Sequence, residues 1–129
     1  MKFVRLILDI NYGNYSYKDA SNMEMYLIGT FLASDVRCHP CSSFKEWALN
    51  DAETITGGNA TALEKENDNV CLFDGTESMT EEIRANGCKI PRLQFIQLLD
   101  DWKEKVCEKK PKEVIIKHEN GQFIIETKG

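Results

Sequence analysis

The residues with the most chemical potential in this chain of 129 are Cys38-His39-Pro40-Cys41. A Cys-x-x-Cys pair at a helix N-terminus lowers the pKa of its first thiol and supports disulfide exchange. A strand-like segment precedes this pair and a helix is expected after it, so a thiol oxidoreductase or redox sensor using Cys38 and Cys41 is one functional reading. The same residues make half of a zinc signature. A zinc site needs four ligands, usually two short-spaced Cys/His pairs, whereas Cys71, Cys88, Cys107 and His118 stand singly. No metal and no cofactor are therefore expected. A two-histidine ribonuclease built on His39, His118 and a lysine such as Lys117 would have to draw phosphates to an acidic chain. Phosphate-loop, dinucleotide, zincin and serine-hydrolase motifs do not occur. The expectation is a protein that is not an enzyme.

Charge points toward binding. There are 21 acidic and 16 basic residues, a net charge of -5, which argues against a general nucleic-acid or anionic-membrane binder and permits a basic protein partner. The charge is also polarised. Residues 50–82 hold nine acids and one base, a sum of -8 that leaves +3 for the rest. Much of this acidity serves as a solvated face; the functional reading is a surface complementary to a basic partner, with steered association. Asp68, Asp74, Glu77, Glu81 and Glu82 are the candidate carboxylates, and Tyr12, Tyr15 and Tyr17 in a polar N-terminal loop are candidate aromatic anchors. No apolar run is long enough for a membrane span. Five cysteines are an odd count, which fits a reduced, cytoplasmic protein.

The elements that must position these residues are partly legible. Val4, Leu6, Leu8 and Ile10 alternate within Lys2–Ile10 and predict a strand, closed by the turn residues Asn11-Tyr12-Gly13-Asn14. Tyr26, Ile28, Thr30 and Phe31 predict a strand over Met23–Val36, with a short helix as the competitor. Ser43 and Glu46 have the spacing of a capping box, and Phe44, Trp47, Ala48 and Ala52 form one helical stripe. Gly57-Gly58-Asn59 marks a turn, followed by strands at Thr61–Glu66 and Asn69–Phe73. Glu77–Arg84 fits a helix or a polar strand, and Asn86-Gly87 a turn. Pro91 suits a helix start, and Phe95, Leu98, Leu99, Trp102 and Val106 make an amphipathic helix ending before Pro111. Asn120-Gly121 supplies a type I′ turn that pairs His118 with Phe123, Ile116 with Ile125 and Val114 with Thr127 on the core side. Ile90-Pro91 imitates the proline of thioredoxin-like folds, but here a helix precedes the hairpin instead of following it. The sum is a single α+β domain over residues 1–129: a mostly antiparallel sheet, two main helices and a C-terminal β-hairpin.

Taken together, Gly57-Gly58-Asn59-Ala60-Thr61, Asn69-Val70-Cys71-Leu72-Phe73, Ile90-Pro91 with Phe95, Leu98-Leu99 and Trp102, and the closing hairpin with Val114-Ile115-Ile116 and Phe123-Ile124-Ile125-Glu126 resemble small bacterial immunity proteins of polymorphic toxin systems. The resemblance is notably to those of contact-dependent growth inhibition. The resemblance spans about residues 57–128 and rests on packing and turn residues. It implies a cytosolic, non-enzymatic inhibitor whose partner is the C-terminal domain of a cognate toxin, a basic protein and often a nuclease, blocked at its active site or substrate groove. A generic adaptor without a toxin is a third reading.

Overall fold

The structure is a computed structural model in which residues 1–38, 43–51, 53–57, 60–75 and 80–129 are described. The alternation at the N-terminus forms β1, Lys2–Asp9, with Val4 and Leu6 fully buried. The Asp9 carboxylate accepts the Asn11 N–H at 2.9 Å, and Gly13 takes φ 74°, so the chain reverses. It returns as β2, Asn14–Ala20, paired antiparallel to β1. The tyrosine-rich stretch is thus an edge strand and not a loop.

The expected strand over Met23–Val36 is a helix. Asn22 caps it by accepting the Met25 N–H at 2.9 Å. The helix runs as α1, Met23–Thr30, and winds on as a π-helical segment, Phe31–Val36. An apolar run without clear periodicity does not distinguish a buried strand from a buried helix. This one is apolar nearly all round because α1 touches β1 and β2 on one side and strands of a second sheet on the other. Gly29 is where it passes β1: a Cβ there would sit 2.5 Å from Val4 Cγ2.

The remaining elements are α2 (Phe44–Leu49), β3 (Ile55–Gly57), β4 (Thr61–Glu66), β5 (Asn69–Asp74), α3 (Glu81–Ala85), β6 (Cys88–Pro91), α4 (Arg92–Trp102), a π-helical extension (Lys103–Cys107), β7 (Glu113–Glu119) and β8 (Gln122–Lys128). The antiparallel strands are divided between two four-stranded sheets, β2-β1-β7-β8 and β3-β4-β5-β6. Both α1 and α4 touch both sheets and form the layer between them. The α+β class is as the sequence predicts; the division into two sheets is not visible in the pattern.

Within that layer Phe31 packs on Phe44 and Phe95 with ring centroids 4.9 and 5.6 Å apart, and Trp47 meets Phe95 edge-on. Phe95, Leu98, Leu99, Trp102 and Val106 are all buried, as their spacing requires. The hairpin register is also as expected: Ile116 faces Ile125, His118 faces Phe123, and Asn120 and Gly121 take φ 51° and 76°. The capping box at Ser43 does not form, since the Ser43 side chain makes no bond to the helix. The other end of α2 is served by Lys65, 8% exposed, whose ammonium donates to the Trp47 and Asn50 carbonyls at 2.8 and 2.6 Å. A cation on the last carbonyls of a helix satisfies its orphan acceptors and its dipole.

Candidate functional site

The acidic residues do not form one face. Asp68 lies in the turn between β4 and β5, where its carbonyl accepts the Arg92 N–H at 2.7 Å. Asp74 ends β5 at the opposite end of that strand, about 20 Å away at the usual rise per residue. Glu77 falls outside the described residues. Glu81 and Glu82 are exposed in the first turn of α3, which begins where Thr80 Oγ1 accepts the Ile83 N–H at 3.2 Å. Carboxylates there favour the positive helix end.

The fold does bring Asp74 and Glu82 together. Both line a surface depression of about 280 Å3, together with Thr80 and Asn86 and the apolar side chains of Met23 and Leu27 of α1 and Ile83 of α3. Gly75, just past β5, lets the backbone approach β4 closely, because a Cβ there would lie 2.7 Å from the Thr61 carbonyl carbon. Chemically, the exposed Glu82 carboxylate can accept hydrogen bonds from a lysine or arginine head while the apolar side chains beside it cover the stem. Met23, half exposed, continues the surface along α1 to Tyr26, its neighbour three residues on.

The tyrosines separate. Tyr17, 46% exposed, stacks edge-on against Tyr26 at 4.9 Å and so joins this surface. Tyr12 is exposed in the β1–β2 turn. Tyr15 is 4% exposed, with its hydroxyl on the Pro111 carbonyl and its ring against Trp102. Burial raises its pKa. It is a core residue and leaves the set of candidate anchors. Strand alternation, invisible while the segment reads as a loop, decides this.

The cysteines depart from the sequence expectation. Cys38 is bonded to Cys107, with Cα atoms 5.3 Å apart, and not held as a reduced thiol. The ends of the two π-helical segments meet there. His39, Pro40 and Cys41 lie outside the described residues. Cys71 and Cys88 are buried free thiols. Burial pushes Cys71 upward and Cys88 up to about 12, so neither is an activated nucleophile. His118 is stacked on Phe123 at 4.4 Å and lies 3.4 Å from Glu24, as a packing residue of the hairpin. Among the described residues no three His, Cys, Asp or Glu side chains gather to hold a metal ion, and no helix is long and apolar enough to cross a membrane.

Asp35 is a structural residue that sequence reasoning missed. Its carboxylate accepts the Ala60 and Thr61 N–H groups at 2.9 and 3.0 Å and the Thr61 hydroxyl, tying the end of the first helix to β4. Nothing in a lone aspartate within an apolar run signals this.

No protein-family model, no curated protein and no solved structure matches this chain.

Proposed function

We propose that the protein is a non-enzymatic inhibitor that binds and neutralises the C-terminal domain of a cognate bacterial toxin, the target being a basic domain of nuclease type. The observation that carries the reading is the depression in which the exposed Glu82 carboxylate lies with Asp74 beside the apolar side chains of Met23, Leu27 and Ile83. Its chemistry suits a basic side chain, with Glu81 next to Glu82 in α3 and Tyr26 of α1, paired with Tyr17 of β2, further along the surface. A net charge of -5 adds long-range attraction for a basic target.

The test is capture. Tagged protein is presented to lysate of the native strain expressing the toxin, and bound proteins are identified by mass spectrometry at low and high salt. The expected result is one basic domain recovered in stoichiometric amount, retained less at high salt, and lost from an Asp74→Lys/Glu82→Lys bait. Equal recovery by the double variant removes the depression as the docking site. Recovery of mixed-disulfide partners instead overturns the inhibitor reading.

A further inference from the structure

The four edges of the two sheets are not equivalent. β3 has three residues and β6 four, ending in Pro91. β2 has seven, but its register against β1 breaks: Arg5 faces Asp19 and Leu6 faces Tyr17, which leaves Lys18 as an extra residue. A bulge bearing a lysine is a feature that keeps an edge from pairing with another chain. β8 has no bulge, and its one lysine, Lys128, stands at its last residue. It has seven residues, an unbroken register and no proline. In a two-residue hairpin the residues flanking the turn, Glu119 and Gln122, exchange both backbone hydrogen bonds. Gln122, Ile124, Glu126 and Lys128 therefore direct their N–H and C=O groups to β7. Those of Phe123, Ile125 and Thr127 point along the open edge.

The edge also matches itself. Residues Gln122-Phe123-Ile124-Ile125-Glu126 run polar, apolar, apolar, apolar, polar and read the same in both directions about Ile124. Placed antiparallel to a second copy with the two-fold axis at Ile124, Phe123 and Ile125 of each chain exchange the open hydrogen bonds. Ile124 meets Ile124, and Gln122 faces Glu126. Ile124 is 37% exposed on the outer face. Glu126 is held by Lys117 at 2.8 Å, so the carboxylate facing Gln122 of the other copy is already neutralised.

We propose that β8 is a homodimerisation edge, joining two four-stranded sheets into one of eight strands through an isologous contact. The contact uses none of the residues of the acidic depression and is independent of the inhibitor reading. A single strand pair makes a small interface, so the dimer forms at high concentration.

Sedimentation velocity of the full chain from roughly 1 to 500 μM covers the affinity range of such a contact. The expected result is a mass rising from one chain to two. Ile124→Lys and Ile124→Glu, each setting like charges face to face on the axis, remain single chains throughout. An equimolar mixture of the two regains the doubled mass. In the wild type, exchange of the Phe123 and Ile125 amides slows at the higher concentration, while that of Gln122 and Ile124, bonded to β7 in either state, does not. A wild type that stays one chain, a single variant that dimerises like the wild type, or a mixture that does not assemble overturns the proposal.

Discussion

Asp35 shows how a charged side chain can act as a fastener. Asp35→Ala leaves two N–H groups and the hydroxyl of Thr61, itself 2% exposed, without their acceptor. At about 1.5–3 kcal/mol per bond to a charged group, partly recovered by water, the expected loss is roughly 2–4 kcal/mol in urea unfolding, and Asp35→Asn retains part of it. Cys88 makes stability depend on pH. Its folded pKa of about 12 lies above the ordinary 9.0, so at alkaline pH the unfolded state loses this proton while the folded state keeps it. The contribution is complete below pH 9 and is lost as pH rises toward 12, at about 1.4 kcal/mol per pH unit. Unfolding free energies from urea titrations should stay level up to about pH 9 and then fall toward that slope by pH 11, and those of Cys88→Ala should lie flatter. In the sequence Asp35 and Cys88 carry no signal, because each depends on a neighbour distant along the chain: Asp35 on Ala60 and Thr61, Cys88 on the burial of β6. Tyr12, Tyr15 and Tyr17 are alike by type, and the pairing of β2 with β1 divides them into a turn residue, a core residue and a surface residue.

At the scale of elements, periodic segments were readable and uniformly apolar or uniformly polar ones were not. β1, the α4 stripe and β8 each bury one face, so their period shows in the sequence. α1 is covered on both sides and shows none, and the polar edge strand β2 reads as a loop. The close approach of α1 to β1 gives a direct check. Gly29→Ala puts a methyl 2.5 Å from Val4 Cγ2 inside a packed core, an overpacking expected to cost about 1–3 kcal/mol. Val4→Ala in the same chain should recover part of that cost in a double-mutant cycle. The Cys38–Cys107 bond closes a loop with a sequence separation of 69. Opening it by reduction or by Cys107→Ser should lower stability by about 2–4 kcal/mol. Beside it Arg37 holds φ 54° and accepts the Trp102 indole N–H on its carbonyl at 2.8 Å, so the clip and the indole fix one junction. The Cys38–Cys107 pairing was hidden behind the nearer Cys38–Cys41 spacing.

For the whole molecule, the polarity of charge along the chain was visible, and its division in space was not. A run of acids between residues 50 and 82 reads as one surface until β5 carries Asp68 and Asp74 to opposite ends. Of the set, Asp74 and Glu82 line one depression, and part of its apolar lining comes from Met23 and Leu27, which the sequence pattern placed in a strand. The central claim is that this depression meets a basic protein domain. Its most direct test is the association rate of the captured domain with the wild type and with Asp74→Lys/Glu82→Lys, measured by stopped flow across a salt series. The account predicts that the double variant associates at least tenfold more slowly at low salt and that its rate depends less steeply on ionic strength. An unchanged rate and an unchanged salt slope would contradict it.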